Sequence, residues 1–147
     1  MTIPNPATAP LLRTDDDVLR RVQQLVGPAI AARQLWVMFV DGDGRQAPVV
    51  MPISDVPLRP DGRTTDNLAA VLAGVLADLT TDAGRGSAVL TLERVGRDAV
   101  LPGDLQWAAA LQEACARAGA ALRGVYLSTS GGVRRLHPAS PGARLGP

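Results

Sequence analysis

The chain has no lysine, one histidine (His137), one cysteine (Cys115), two tryptophans, one tyrosine and one phenylalanine. Each scarcity removes chemistry. Without lysine there is no P-loop phosphate clamp and no Schiff-base nucleophile. One His and one Cys do not make a recognisable zinc site, which takes three or four ligands. Nor do they form a pattern that sets a nucleophile beside its base. A single cysteine excludes an intramolecular disulfide. No apolar run approaches the ~20 residues of a membrane span. The N-terminal MTIPNPATAP lacks the basic and apolar regions of a signal peptide, so the expected location is the cytoplasm. The expectation is of no metal and no cofactor.

What is present fits one domain. A chain of 147 residues buries about two-thirds of its unfolded surface when folded. Hydrophobic content is 46%, charged content 20% and net charge +1, which gives no general case for nucleic acid or an anionic membrane as partner. All 15 basic residues are Arg, and Asp far outnumbers Glu. Together with abundant Ala, Gly and Pro, this composition reads as the codon bias of a GC-rich bacterial genome.

Residues 1–13 and 138–147 are rich in Pro, Gly and Ala without periodicity, and read as disordered tails flanking a single α/β domain over 14–137. Thr14 is placed to cap a first helix, with Asp15, Asp16 and Asp17 in its first turn. Val18, Val22, Leu25, Val26 and Ile30 recur at helical spacing, with Gly27-Pro28 ending or kinking the pattern. Residues 34–41 (QLWVMFVD) and 87–93 (SAVLTLE) are apolar nearly throughout and predict interior strands. Asp41 to Gly44 is a hairpin turn. Residues 46–54 form the return strand, which Pro48 and Pro52 assign to an edge or a bulge. A second helix is expected from about Thr65 to Thr80, with Leu68, Val71, Leu72, Val75, Leu76 and Leu79 on one stripe. Asp104 is expected to cap a third helix, which Gly119 ends. Leu122 to Ser130 and Val133 to His137 form a closing hairpin around Gly131-Gly132. The order α-β-β-α-β-α-β-β predicts a three-layer α-β-α arrangement around a mixed sheet of about five strands.

That element order, with residues 87–137, resembles the RadC-like branch of the JAB/MPN metallopeptidase-like domains. There a strand ends in a His-Asn-His-Pro-Ser-Gly run. A Pro-Ser-x-x-Asp motif follows, its Asp opens a helix, and a hairpin closes the domain. On this chain the motif's Asp matches Asp104 and its Gly matches Gly96. The two histidine positions fall on Thr91 and Glu93, and the serine on Leu101. The resemblance implies the family's framework without its metal ligands, a state in which inactive members of the wider family act as scaffolds. The chain also resembles short actinobacterial proteins in which an acidic residue followed by Trp opens the same helix, here Asp104-Leu105-Gln106-Trp107. Cytidine-deaminase-like folds share the topology, but their His-x-Glu and Pro-Cys-x-x-Cys zinc ligands have no counterpart.

The candidate remnant site is Glu93, Arg94, Arg97, Asp98 and Asp104. Two functional readings follow. The first is a non-catalytic JAB/RadC-like module that binds a protein partner or itself as a homodimer. The second is a hydrolase or nucleic-acid-processing enzyme with a site rebuilt from those carboxylates and arginines. In the first, Trp36 and Trp107 are candidate anchors, with core packing as their alternative use. Cys115 lies on the apolar stripe of helix three and reads as a small buried hydrophobe. Arg134 and Arg135, adjacent on a strand, face opposite ways and cannot form one patch.

Overall fold

A computed structural model describes residues 10–136; most of both expected tails, and His137, lie outside the described residues. The elements are α1 (Asp15–Leu25), β1 (Gln34–Val40), β2 (Gln46–Ser54), α2 (Gly62–Leu79), β3 (Ser87–Glu93), α3 (Pro102–Ala118), β4 (Ala121–Thr129) and β5 (Gly132–Arg135). They form one mixed sheet in the order β2-β1-β3-β4-β5. β1 runs antiparallel to β2 and β3, β3 runs parallel to β4, and β4 runs antiparallel to β5. The two nearly continuous apolar strands, β1 and β3, are interior, because each must bury side chains on both faces.

Strand alternation divides the core. Leu35, Val37 and Phe39 of β1 and Ala88, Leu90 and Leu92 of β3 pack under α2 and α3, with Leu68, Leu72, Trp107 and Leu111. Met38, Val40 and Val89 point the other way and pack with Leu12, with Val18 and Val22 of α1, and with Tyr126. The sheet is thus the middle of three layers. α1 lies against β4 and β5, where Asp15 pairs with Arg123 at 2.6 Å and with Arg135 at 2.5 Å.

β2 is the edge strand that its prolines imply, and the register explains Pro52. The Asp55 N–H donates to the Arg33 carbonyl at 3.2 Å, and Leu35 and Trp36 lie opposite Ile53 and Pro52. Hydrogen-bonded and non-hydrogen-bonded pairs alternate along an antiparallel ladder, so Pro52 falls at a position whose N–H would point away from the sheet. The residue lacking a donor stands where a donor would recruit another strand. The register also shifts between Met38 and Val40.

Several boundaries differ from the sequence reading. α1 is capped by Thr14 in a full capping box with Asp17, but stops at Leu25. Gly27 adopts φ +68° ahead of Pro28, and Ile30, expected on the helical stripe, is 91% exposed. α2 begins at Gly62, capped by Asp61, and leaves Val71 partly exposed rather than inward. Pro10 to Arg13, expected in a tail, instead lies along the hairpin: the Leu12 N–H donates to the Gly44 carbonyl, the Gln46 N–H to the Pro10 carbonyl, and Leu12 is buried. The hairpin exposes one acceptor and one donor there, and the segment satisfies both.

Candidate functional site

The candidate residues gather at one end of the sheet, where β3 and β4 finish, β1 begins and α3 starts. They do not form one constellation. Glu93, the last residue of β3, shares the parity of Val89 and faces the α1 side of the sheet. Its side chain is buried, and its carboxylate accepts four hydrogen bonds. Oε2 takes the backbone N–H groups of Ile30 at 2.7 Å and Ala31 at 2.9 Å. Oε1 takes Gln34 Nε2 and Trp36 Nε1, each at 2.8 Å. Burial pushes this carboxyl's pKa up, yet the four donors together outweigh burial and hold it below the ordinary glutamate value. No cation among the described residues pairs with it.

Arg94 and Asp104 meet on the α3 side. Arg94 Nε and Nη2 donate to Asp104 Oδ1 and Oδ2, both at 2.8 Å, in a bidentate pair. The two side chains are 4% and 2% exposed. Arg94 also donates to the carbonyls of Arg97 at 3.1 Å and Ala99 at 2.6 Å. Pairing with Asp104 raises its pKa further above the ordinary arginine value, against the opposing pull of burial. Asp104 is not the helix cap that the sequence suggests. α3 starts two residues earlier at Pro102, whose missing N–H is one the first turn does not need. Asp104 is therefore the third helical residue. Its Oδ2 reaches back to accept the Leu101 N–H at 2.8 Å, as the acidic member of a capping box does.

Arg97 and Asp98 are exposed in the loop after β3. Arg97 contributes its carbonyl to Arg94, not its guanidinium. Asp98 turns toward the β4–β5 turn, where it accepts from Arg134 Nη2 at 2.7 Å and Thr129 Oγ1 at 3.3 Å. Gly131 packs against it so closely that a Cβ there would lie 2.7 Å from the Asp98 side chain. Arg134 and Arg135 diverge to Asp98 and Asp15. The structure thus joins Arg94 to Asp104, sets Arg97 and Asp98 at the rim, and puts Glu93 on the opposite face.

The family positions Thr91 and Leu101 supply no ligand set. Thr91 is fully buried, and its Oγ1 has no hydrogen-bond partner among the described residues. No group of three or more His, Cys, Asp or Glu residues is placed to hold a metal ion among the described residues. Cys115 is buried, and burial pushes its thiol up to about 11, which makes it a poor nucleophile. A depression of about 360 Å³ between α2 and α3 is lined by Asp61, Asp66, Glu113 and Arg117 among others, and by none of the candidate residues. No described helix is long and apolar enough to cross a membrane.

Sequence reasoning missed Gln34, Trp36 and the backbone of residues 30–31 as partners of Glu93. Gln34 and Trp36 share one face of β1 by alternation. Only the pairing of Gln34 with Glu93 brings that face to the carboxylate, and pairing register across 59 positions leaves no local signal. Trp107, the other candidate anchor, is wholly buried, and its Nε1 donates to the carbonyls of Pro57 at 3.0 Å and Leu58 at 3.2 Å. Comparison with protein-family models, curated proteins and solved structures finds no match to this chain.

Proposed function

We propose that the chain is a non-catalytic, JAB/RadC-like module that acts by binding another protein. One observation carries the reading: both buried carboxylates at the candidate site are spent inside the protein. Glu93 holds four donors, and Asp104 holds a bidentate arginine and a backbone N–H. A general base needs a lone pair aimed at substrate, and a metal ligand needs one aimed at the ion. Glu93 has none to spare, and the one acceptor site Asp104 keeps is buried with its side chain. A rebuilt hydrolytic site is the weaker reading, because Glu93 and Asp104 work on opposite faces of the sheet and share no cleft.

The test has two arms. Calorimetric titration of the purified chain with Zn²⁺, Mn²⁺ and Mg²⁺ is expected to show no saturable site. A partner crosslinked in the source cells is expected to bind again when both proteins are purified and mixed. A one-to-one metal ion accompanied by peptidase or nuclease activity that E93Q or D104N abolishes would overturn the reading.

A further inference from the structure

The same end of the sheet carries a surface that the internal networks leave unused. Among the described residues, four of the six exposed large aliphatic side chains lie there: Ile30 at 91% exposure, Leu58 at 66%, Val95 at 52% and Val100 at 38%. The segments bearing them are tied together. The Val95 N–H donates to the Ala31 carbonyl at 3.1 Å. Ala99, next to Val100, is held by Arg94. The Leu58 carbonyl lies against the first turns of α3, accepting from Trp107 and sitting 3.7 Å from a Cβ built on Gly103. Exposed aliphatic groups gathered in one region, unlike ones scattered singly, mark a contact surface.

The charge at this end is unbalanced toward arginine. Arg59 follows Leu58, and Arg97 follows Val95 by two residues; both are exposed. Arg33 stands beside Asp55 just beyond the end of the β1–β2 ladder. Among the described residues none of the three guanidinium groups has an ion pair or hydrogen bond, and Arg33 Nη1 is buried without a partner there. Of the carboxylates nearby, Asp98 is committed to Arg134 and Asp61 to the first turn of α2, which leaves the exposed Asp55 against three arginines. A buried guanidinium nitrogen without an acceptor is costly, and it is the kind of group that a carboxylate relieves in bidentate fashion.

Resting on the proposed interaction role, we infer that this end is the docking face, and that its occupant is a segment of another protein carrying carboxylates beside aliphatic side chains. A second copy of the chain fits badly, because a two-fold contact would set the same unpaired arginines against themselves. The chain's own terminal stretches, residues 1–9 and 137–147, contain no Asp or Glu. A membrane is disfavoured because the face has no exposed aromatic side chain and fewer cations than the ~4–8 of a lipid-binding basic cluster. Nucleic acid leaves the aliphatic groups unused.

The test pans a random peptide library displayed on phage against the full chain. Enriched sequences are expected to combine Asp or Glu with Leu, Ile or Val. A synthetic peptide of the winning sequence should lose roughly tenfold or more in affinity against Ile30→Ser/Leu58→Ser. It should do the same against Arg59→Glu/Arg97→Glu, and should weaken with added salt. All four positions are solvent-facing, so these variants keep the fold, which circular dichroism checks. Peptides that bind both double variants as well as the parent overturn this face while leaving an interaction role intact. Basic or uncharged winners overturn the acidic occupant. No enrichment overturns both the face and the role. Tighter binding to phosphatidylglycerol vesicles or to duplex RNA than to any peptide overturns the protein partner.

Discussion

Two carboxylates are buried at one end of this sheet, and they are neutralised in different ways. Glu93 is surrounded by dipoles: two backbone N–H groups, an amide and an indole. Asp104 is met by a full opposite charge. The dipolar arrangement fastens three segments, the 30–31 turn, β1 and β3, to one group. The ionic arrangement fastens the loop after β3 to the first turn of α3. They differ most in what remains after a partner is removed. Loss of Glu93 leaves unsatisfied neutral donors, which relax toward water. Loss of Asp104 leaves a guanidinium stranded in the core.

The largest expected effect follows from that stranded charge. Asp104→Ala and Asp104→Asn should each destabilise the fold by about 3–5 kcal/mol, as breaking a buried pair on one side does. Urea titration measures it. An aspartate acting only as a cap would instead let Asn recover most of the stability, so a mild Asn variant would undo the distinction between the two sites. The double variant Arg94→Met/Asp104→Leu should regain much of the loss, since a buried pair is often replaceable by apolar groups of similar volume.

Glu93→Gln comes next, at about 1–3 kcal/mol. Its new NH₂ faces donors where an oxygen accepted, but no cation is stranded. A larger loss for Glu93→Gln than for Asp104→Asn in the same titration would reverse the comparison.

Acid should expose the dipolar site in a third way. The Glu93 pKa is held below its ordinary value of 4.5, so the unfolded chain takes up the proton first as pH falls. The contribution of Glu93 is therefore complete above the ordinary value and drains away as pH drops through the lowered folded one. The gap in stability between the parent and Glu93→Gln should narrow over that acid range. A gap that stays constant from neutral pH to pH ~3 counts against a charged Glu93.

The smallest effect is kinetic. With its thiol raised from 9.0 to about 11, Cys115 has roughly a hundredfold less thiolate at neutral pH than a free thiol, besides being covered. Maleimide labelling should therefore report opening of α3. Asp104→Asn should speed labelling more than Glu93→Gln does, because only Asp104 is part of that helix.

The parts of this fold legible in sequence were those fixed by short-range pattern. Apolar runs placed β1 and β3 in the interior, Pro48 and Pro52 narrowed β2 to an edge or a bulge, of which the sheet order shows the edge, and Thr14 marked the start of α1. The start of α3 was misplaced for a physical reason. An acid ahead of an apolar stripe looks the same to sequence whether it caps the helix or reaches back from the third position, and Leu101, the residue at the cap, carries no polar side chain to mark it. The continuation of α1 to Ile30 failed because periodicity persisted past Gly27, whose left-handed backbone had already turned the chain. The candidate residues were named from a family frame, and four of them, Arg94, Arg97, Asp98 and Asp104, do cluster around one loop. Their roles depend on partners such as Arg134 and Leu101, and those of Glu93 on residues some 60 positions away, which register and layer order bring close.

The docking of α1 on β4 and β5 also sets a timetable. At 11 residues, α1 is shorter than the ~12–15 at which an isolated helix becomes even marginal in water. Asp15 finds its ion-pair partners only when Arg123 and Arg135 exist, and the cluster around Val18 and Val22 is complete only with Tyr126; Asp15 and Arg123 are 108 positions apart. At ~5–20 residues per second, the ribosome takes roughly 5–20 s to cover that interval. During it the first helix lacks β4 and β5, the strands it lies against, while β1, β2, α2 and β3 can already assemble beneath the other face. The sheet is therefore finished from one side, and the last hairpin to be synthesised recruits the first helix.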